Sequence, residues 1–219
     1  MSGDKEDIIK ALRAALTGQL HMDPVKNPVT LKMEGDAIVM EGVVEGIAEK
    51  KRALLAAMTM ESTSGVVDRL RVRPGSPMTD KEIRDHIRDA FTEEPTLSGL
   101  DLSVEVSDGV VDIEGKVPSL SHKRLAGVLA WWVPGSVDVI NSLEVDPPEE
   151  DSGDEVLDAL KITLEKDRLV DASSVRPGVR DWTVILEGTV RSEAGKKAVE
   201  EDAWYIWGVN EVINNIRVA

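Results

Sequence analysis

Few side chains in this sequence stand where they could do covalent chemistry. The three histidines, His21, His86 and His122, lie in different local settings and form no ligand-spaced pair, so neither a metal site nor an acid–base pair is expected from them. Ser119, Ser121 and His122 are neighbours, but adjacency at a helix start is not triad geometry, and no nucleophile elbow surrounds them. Cysteine is absent, which excludes disulfides, thiolate ligands and a cysteine nucleophile. No phosphate-cradling glycine loop or dinucleotide fingerprint occurs. Asp and Glu number 41 against 26 Lys and Arg, too many for any carboxylate pair to stand out, and they read as a solvated acidic surface. The expectation is a protein that is not an enzyme, with no cofactor and no metal site.

What remains is the chemistry of recognition. Arg69, Arg71 and Arg73 alternate with Leu70 and Val72, so on a strand all three project from one face. Lys50, Lys51 and Arg52 run together at the start of a predicted helix. These cations sit in a chain of uneven charge. Residues 1–77 carry 11 basic and 11 acidic side chains, 78–148 carry 6 and 14, and 149–219 carry 9 and 16, for a net charge of −15. The acidic two thirds should be repelled by nucleic acid, so no nucleic-acid partner is expected. The basic residues of the first third are the expected dock for an anionic lipid headgroup, a protein partner or an acidic neighbouring segment. A second candidate set is aromatic. Aromatics are 3% of the chain and five of the seven are Trp; Trp131, Trp132 and Trp204 lie close to Tyr205 and Trp207. They read either as caps on small cores or as exposed anchors for a protein or membrane contact.

The elements that position these residues repeat. Glu41-Gly42, Glu114-Gly115 and Glu187-Gly188 are spaced 73 residues apart, and the register runs on without a gap to Val72, Val145 and Val218. Lys50, Lys123 and Lys196 align, as do Ala57, Ala130 and Ala203, and Asp68, Asn141 and Asn214. So many coincidences establish three copies of one module. In the second copy, Asp80 is placed to cap a helix carrying Ile83, Ile87, Ala90 and Phe91 at helical spacing. Leu102, Val104 and Val106 then alternate with polar residues, Asp108-Gly109 supplies a tight turn, and Val111 and Ile113 alternate again, the pattern of a hairpin. Ser119 or Ser121 starts a second helix that stops around Pro134-Gly135, and a strand with Val139, Leu143 and Val145 follows.

The predicted fold class is α+β: three tandem αββαβ modules, each a three-stranded mixed sheet with two helices on one face. The predicted domains are 1–73, 78–146 and 153–219, joined by the Pro-, Gly- and acid-rich stretches Arg73–Pro77 and Asp146–Gly153. Modules of this size bury limited core, so packing between repeats is expected. The strand position facing away from the helices holds Val39, Asp112 and Ile185, and this face is the expected place for that packing. No run reaches the length of a membrane span and no export signal is evident, so the chain as written reads as cytoplasmic, or periplasmic if it is a mature form.

The string Asp108-Gly109-Val110-Val111-Asp112-Ile113-Glu114-Gly115, followed by Ala130-Trp131-Trp132-Val133-Pro134-Gly135 and Val139-Ile140-Asn141-Ser142-Leu143-Glu144-Val145, resembles the BON domain, named for bacterial osmotically inducible and nodulation proteins. The third copy repeats it with Ala203-Trp204 and Val212-Ile213-Asn214. The first is degenerate, with Met58 for the Trp, Ser62 for the Gly and Asp68 for the Asn. The resemblance implies a non-enzymatic binding module associated with osmotic stress and the envelope, in some members recognising anionic phospholipid. A cytoplasmic cation module that binds or senses potassium is the alternative it implies. The family has no fixed set of ligand residues to carry over.

Overall fold

Three glycines set the shape of the repeat. Gly42, Gly115 and Gly188 hold φ of +147°, +138° and +131°, a region that side chains rarely enter. A Cβ on them would lie 2.1 Å from Pro28 O, 2.6 Å from Asp101 O and 2.1 Å from Ser174 O respectively. Each sits opposite the first residue of the preceding strand, paired as Val29–Gly42, Leu102–Gly115 and Val175–Gly188. The Glu-Gly dipeptides therefore mark where two strands cross too closely for any side chain.

The computed structural model describes residues 2–219, with side chains from residue 5 onward. One unit runs to Arg73 and a second spans Pro74–Ala219. The first contains α1 (Ser2–Ala14), β1 (Val29–Glu34), β2 (Ala37–Val44), α2 (Ile47–Met58) and β3 (Gly65–Val72). In the second unit, repeat two contains α3 (Asp80–Glu93), β4 (Leu102–Ser107), β5 (Val110–Val117), α4 (Leu120–Trp131), β6 (Asp138–Asn141) and β7 (Glu144–Val145). Repeat three contains α5 (Gly153–Lys166), β8 (Val175–Arg180), β9 (Thr183–Val190), α6 (Glu193–Tyr205) and β10 (Glu211–Val218). In every sheet the middle strand pairs antiparallel with the first and parallel with the last. The parallel pair requires a crossover, and the second helix of each repeat supplies it. β6 and β7 are two pieces of one last strand, both paired with β5. These are mixed-sheet αββαβ modules, the α+β class that the periodicity predicts.

Apolar residues at helical and alternating spacing make the cores. Leu12, Ile38, Met40, Ala53 and Leu70 are buried together in repeat one, as are Ile83, Ile87, Val111, Ile113 and Leu143 in repeat two. Val156, Leu160, Val184, Leu186 and Ile216 are the buried counterparts in repeat three.

Two expectations change, and one linker gains definition. Thr79, not Asp80, caps α3, in a reciprocal box in which Glu82 N–H donates to Thr79 Oγ1 and Thr79 N–H donates to Glu82 at 2.8 Å. Asp80 instead accepts the Asp108 and Gly109 N–H groups at 3.0 and 2.8 Å, tying the helix start to the hairpin turn. The linker Asp146–Gly153 is held to α4, where Glu149 accepts Leu120 N–H at 2.7 Å and Asp151 pairs with Arg124 at 2.5 Å. A carboxylate at the α4 N-terminus also meets the positive end of the helix dipole. Finally, repeats two and three meet through α4, α5 and α6, not through the sheet face of Asp112 and Ile185. The helices carry the aromatic rings, and burying those rings removes more apolar surface than one sheet isoleucine would.

Candidate functional site

The repeat position Asp68/Asn141/Asn214 links the last strand to the second helix in all three modules, by two chemistries. Asn141 Nδ2 donates to Lys123 O at 2.7 Å and Asn214 Nδ2 to Lys196 O at 3.3 Å, each side chain also accepting the N–H two residues on. Asp68 keeps the second bond, from Leu70 N–H at 2.8 Å, but a carboxylate has no proton to donate. Lys50 completes the bridge instead: its Nζ lies 3.0 Å from Asp68 Oδ2 and donates to Leu70 O at 2.8 Å. Lys50 is 4% exposed, so this predicted binding cation is part of the fold of repeat one rather than of its surface. In the sequence Lys50 aligns with Lys123 and Lys196, and only Asp68 departs from the repeat; the pairing of the two explains the departure.

The rest of the basic set is spread over two places. Arg69 and Arg71 pair with Glu41 and Val43 on the sheet face away from the helices, and Arg73 follows just beyond the strand, its guanidinium donating to Lys26 O at 3.1 Å. Arg71 donates to Leu70 O at 3.0 Å. Arg69 and Arg73 are exposed, as are Val43 and Val67 on the same face. Arg52, on α2, lines a polar cleft of about 170 Å³ with His21, Asp23, Lys26, Glu45 and Glu49, a mixed-charge surface rather than a cationic one. Lys51 is half-buried, and burial pulls its ammonium down to about 7.

The predicted aromatic anchors lie within the second unit, and two of the three make contacts between its repeats. Trp131 stacks on Tyr205, with centroids 5.7 Å apart and planes 11° from parallel. Trp132 Nε1 donates to Asp202 Oδ1 at 2.8 Å. Trp204 is wholly buried. Trp207 stays half-exposed, with Lys123 and Arg124 5.3 and 5.6 Å from its ring centroid.

Sequence reasoning passed over the residue at the centre of this contact. Arg124 is 0% exposed and donates from Nε to Trp207 O at 3.0 Å and from Nη2 to Asp151 at 2.5 Å. A buried guanidinium of this kind holds two segments in one geometry through its fixed fork. Its counterparts Lys51 and Lys197 gave no hint of the role. Lys166 and Glu94 form a second bridge between the repeats at 2.7 Å. Burial works to raise Glu94, but bonds from Lys166 and Thr96 outweigh it and hold the carboxyl below its ordinary range.

His122 Nδ1 lies 2.5 Å from Ser119 Oγ, but Ser119 is the cap of α4 and accepts the His122 N–H. Among the described residues no three His, Asp or Glu side chains converge as a metal site needs, and no helix is long and apolar enough to cross a membrane.

The sequence model described as BON domain matches residues 79–147 and 153–219, more than half of the chain. Osmotically-inducible protein Y of Escherichia coli (strain K12) is 29% identical over 168 residues, covering 74% of this chain and 84% of the relative. Two solved structures of CdsD, a structural protein of the type III secretion system of Chlamydia trachomatis, cover 97% of this chain at 16% and 17% identity, and 98% and 92% of their own. Their TM-score of 0.27 is too low to carry an argument. The matched repeats, with their shared αββαβ order and Gly-centred register, place this chain in the BON domain family.

Proposed function

We propose that this chain is a non-enzymatic binding protein of the stress- and envelope-associated kind, and that it recognises an anionic phospholipid surface through the basic strand of its first repeat. The observation that carries the reading is the division of labour between repeats. Trp131, Trp132 and Arg124 are engaged in holding repeats two and three together, while Arg69 and Arg71 lie on an edge strand and Arg73 just beyond it, where the counterparts are Ser142, Glu144 and Asp146, and Asn215, Arg217 and Ala219. Net charge follows the same division, being zero up to residue 77 and −8 and −7 in the two segments after it. A cationic strand contributes about 1 kcal/mol per Lys or Arg near an anionic membrane, and salt screens it. The name of the osmotically inducible relative supports the stress association.

Co-sedimentation of the full chain with vesicles at low salt tests this. Pelleting with phosphatidylglycerol vesicles, lost with neutral vesicles, in high salt or in Arg69→Glu, is the expected result. Equal pelleting with neutral and anionic vesicles would overturn it.

A further inference from the structure

The last strand of each repeat lies at the edge of its sheet. In a parallel pair one residue turns both its N–H and its C=O to the neighbouring strand, and the next turns both away. Arg73, Ser142, Asp146 and Ala219 donate their N–H groups to the middle strands at 2.8 to 3.0 Å. Counting back in twos from these residues, the backbone groups of Leu70, Leu143 and Ile216 point off the edge.

A row of outward amide groups is a template for pairing with another chain. Here the row is interrupted. The side chain at the Asp68/Asn141/Asn214 position accepts the outward N–H of Leu70, Leu143 and Ile216 at 2.8, 3.4 and 3.1 Å. The side chain that ties strand to helix thus also occupies the donor that an added strand would use.

The three edges are closed to different depths. In repeat one the outward carbonyl is taken as well, since Leu70 O accepts Lys50 Nζ at 2.8 Å and Arg71 at 3.0 Å. In repeat two the strand is broken into β6 and β7, of four and two residues, and a short edge is a poor template. In repeat three β10 runs unbroken for eight residues, with Asn214 in its middle.

β10 also complements itself. Laid antiparallel on its own copy about Asn214, it sets Glu211 opposite Arg217 at both ends of the pairing and the buried Val212 opposite the buried Ile216. Outward backbone groups then meet outward groups, and each face of the sheet continues the same face of the other. The same register on β3 would set Asp68 against Asp68.

We propose that the Asn214 side chain is the cap that keeps β10 from pairing antiparallel with β10 of a second copy of this chain. Without the cap, two three-stranded sheets join through a two-fold axis at position 214.

Sedimentation of the full chain tests this. Wild type should run as a single chain, and Asn214→Val, which removes the acceptor and favours a strand, as a dimer at the same concentration. A dimeric wild type or a folded, monomeric Asn214→Val overturns the proposal. Adding Glu211→Arg to Asn214→Val sets like charges opposite one another and should weaken the dimer at least about tenfold; adding Arg217→Glu as well should restore it. A dimer indifferent to both means that the chains meet elsewhere, and the proposal fails. Val199→Ala loosens the core of repeat three without touching the edge and should stay monomeric; its association would make instability, not the open edge, the cause. In wild type the Ile216 amide should be protected from hydrogen exchange, and exchange at the rate of an unstructured chain overturns the cap whatever any variant does.

Discussion

Lys50, Lys123 and Lys196 occupy one repeat position, and the ammonium groups of the first two have different work. Lys50 is buried against Asp68. Lys123 is half-buried beside Trp207, where desolvation and then the charge of Arg124 lower its pKa. Lys196 offers its backbone carbonyl to Asn214. The next position diverges further: Arg124 is wholly buried between repeats two and three, whereas Lys197 is 76% exposed on the last helix. Backbone geometry is common to the three modules because it rests on Gly42, Gly115 and Gly188 and on shared apolar stripes. Polar positions have specialised according to whether each face meets solvent, its own sheet or another repeat.

The sharpest way to break this comparison is at the position where the repeats differ most. Arg124→Ala should cost about 4 kcal/mol, because Asp151 and the Trp207 carbonyl lose a buried charged partner. All five tryptophans lie after Pro74, so urea unfolding followed by their fluorescence reads repeats two and three alone. Lys197→Ala should leave that curve unmoved. Similar losses at both positions would mean that the guanidinium does not hold the repeats together.

Where the repeats agree, the three should respond alike. Gly115→Ala should cost about 3 kcal/mol, since it combines a positive φ with a clash against a backbone carbonyl that cannot rotate away. Gly188→Ala should match it, and circular dichroism should show the same for Gly42→Ala. Gly35→Ala, in a turn with open space around it, should cost about 1 kcal/mol from its αL backbone alone.

The helix-to-strand bridge lies between these extremes. Asn141→Asp removes the donor to Lys123 O and adds a charge that Lys123, engaged over Trp207, is not placed to neutralise; we expect a loss of about 2 kcal/mol. Asp68→Asn is the reverse exchange and removes the carboxylate from beside the buried Lys50 ammonium, leaving its bond to Leu70 O. If each repeat uses its own chemistry, both substitutions destabilise. If the two solutions are interchangeable, Asp68→Asn is neutral.

This contrast also explains what the sequence made legible. Periodicity and the Asp108-Gly109 turn reveal the fold because backbone preferences and apolar stripes are local or strictly spaced. Trp131 and Trp132 stand out as contact residues by type. What they touch does not, because Tyr205 and Asp202 are about 70 residues away and belong to a different copy. Arg124 and Asp202 are invisible for a related reason. Each is an ordinary surface type, in a chain rich in charge, that becomes unusual only once the packing of α4 on α5 and α6 buries it.

The smallest effect separates folding from recognition. Val67, Ile140 and Ile213 share a repeat position and remain 38%, 47% and 42% exposed, on the sheet face opposite the helices. Their counterparts across the sheet are Val39, Asp112 and Ile185. An exposed β-branched residue in an edge strand gains little from burial, so Ile140→Thr and Ile213→Thr should shift unfolding by no more than about 0.5 kcal/mol. In repeat one the same face carries Arg69. If vesicle binding uses that strand, the two Ile substitutions leave pelleting unchanged while Arg69→Glu abolishes it. Should all three reduce it equally, recognition belongs to the repeated sheet face, and the basic strand is not what singles out repeat one.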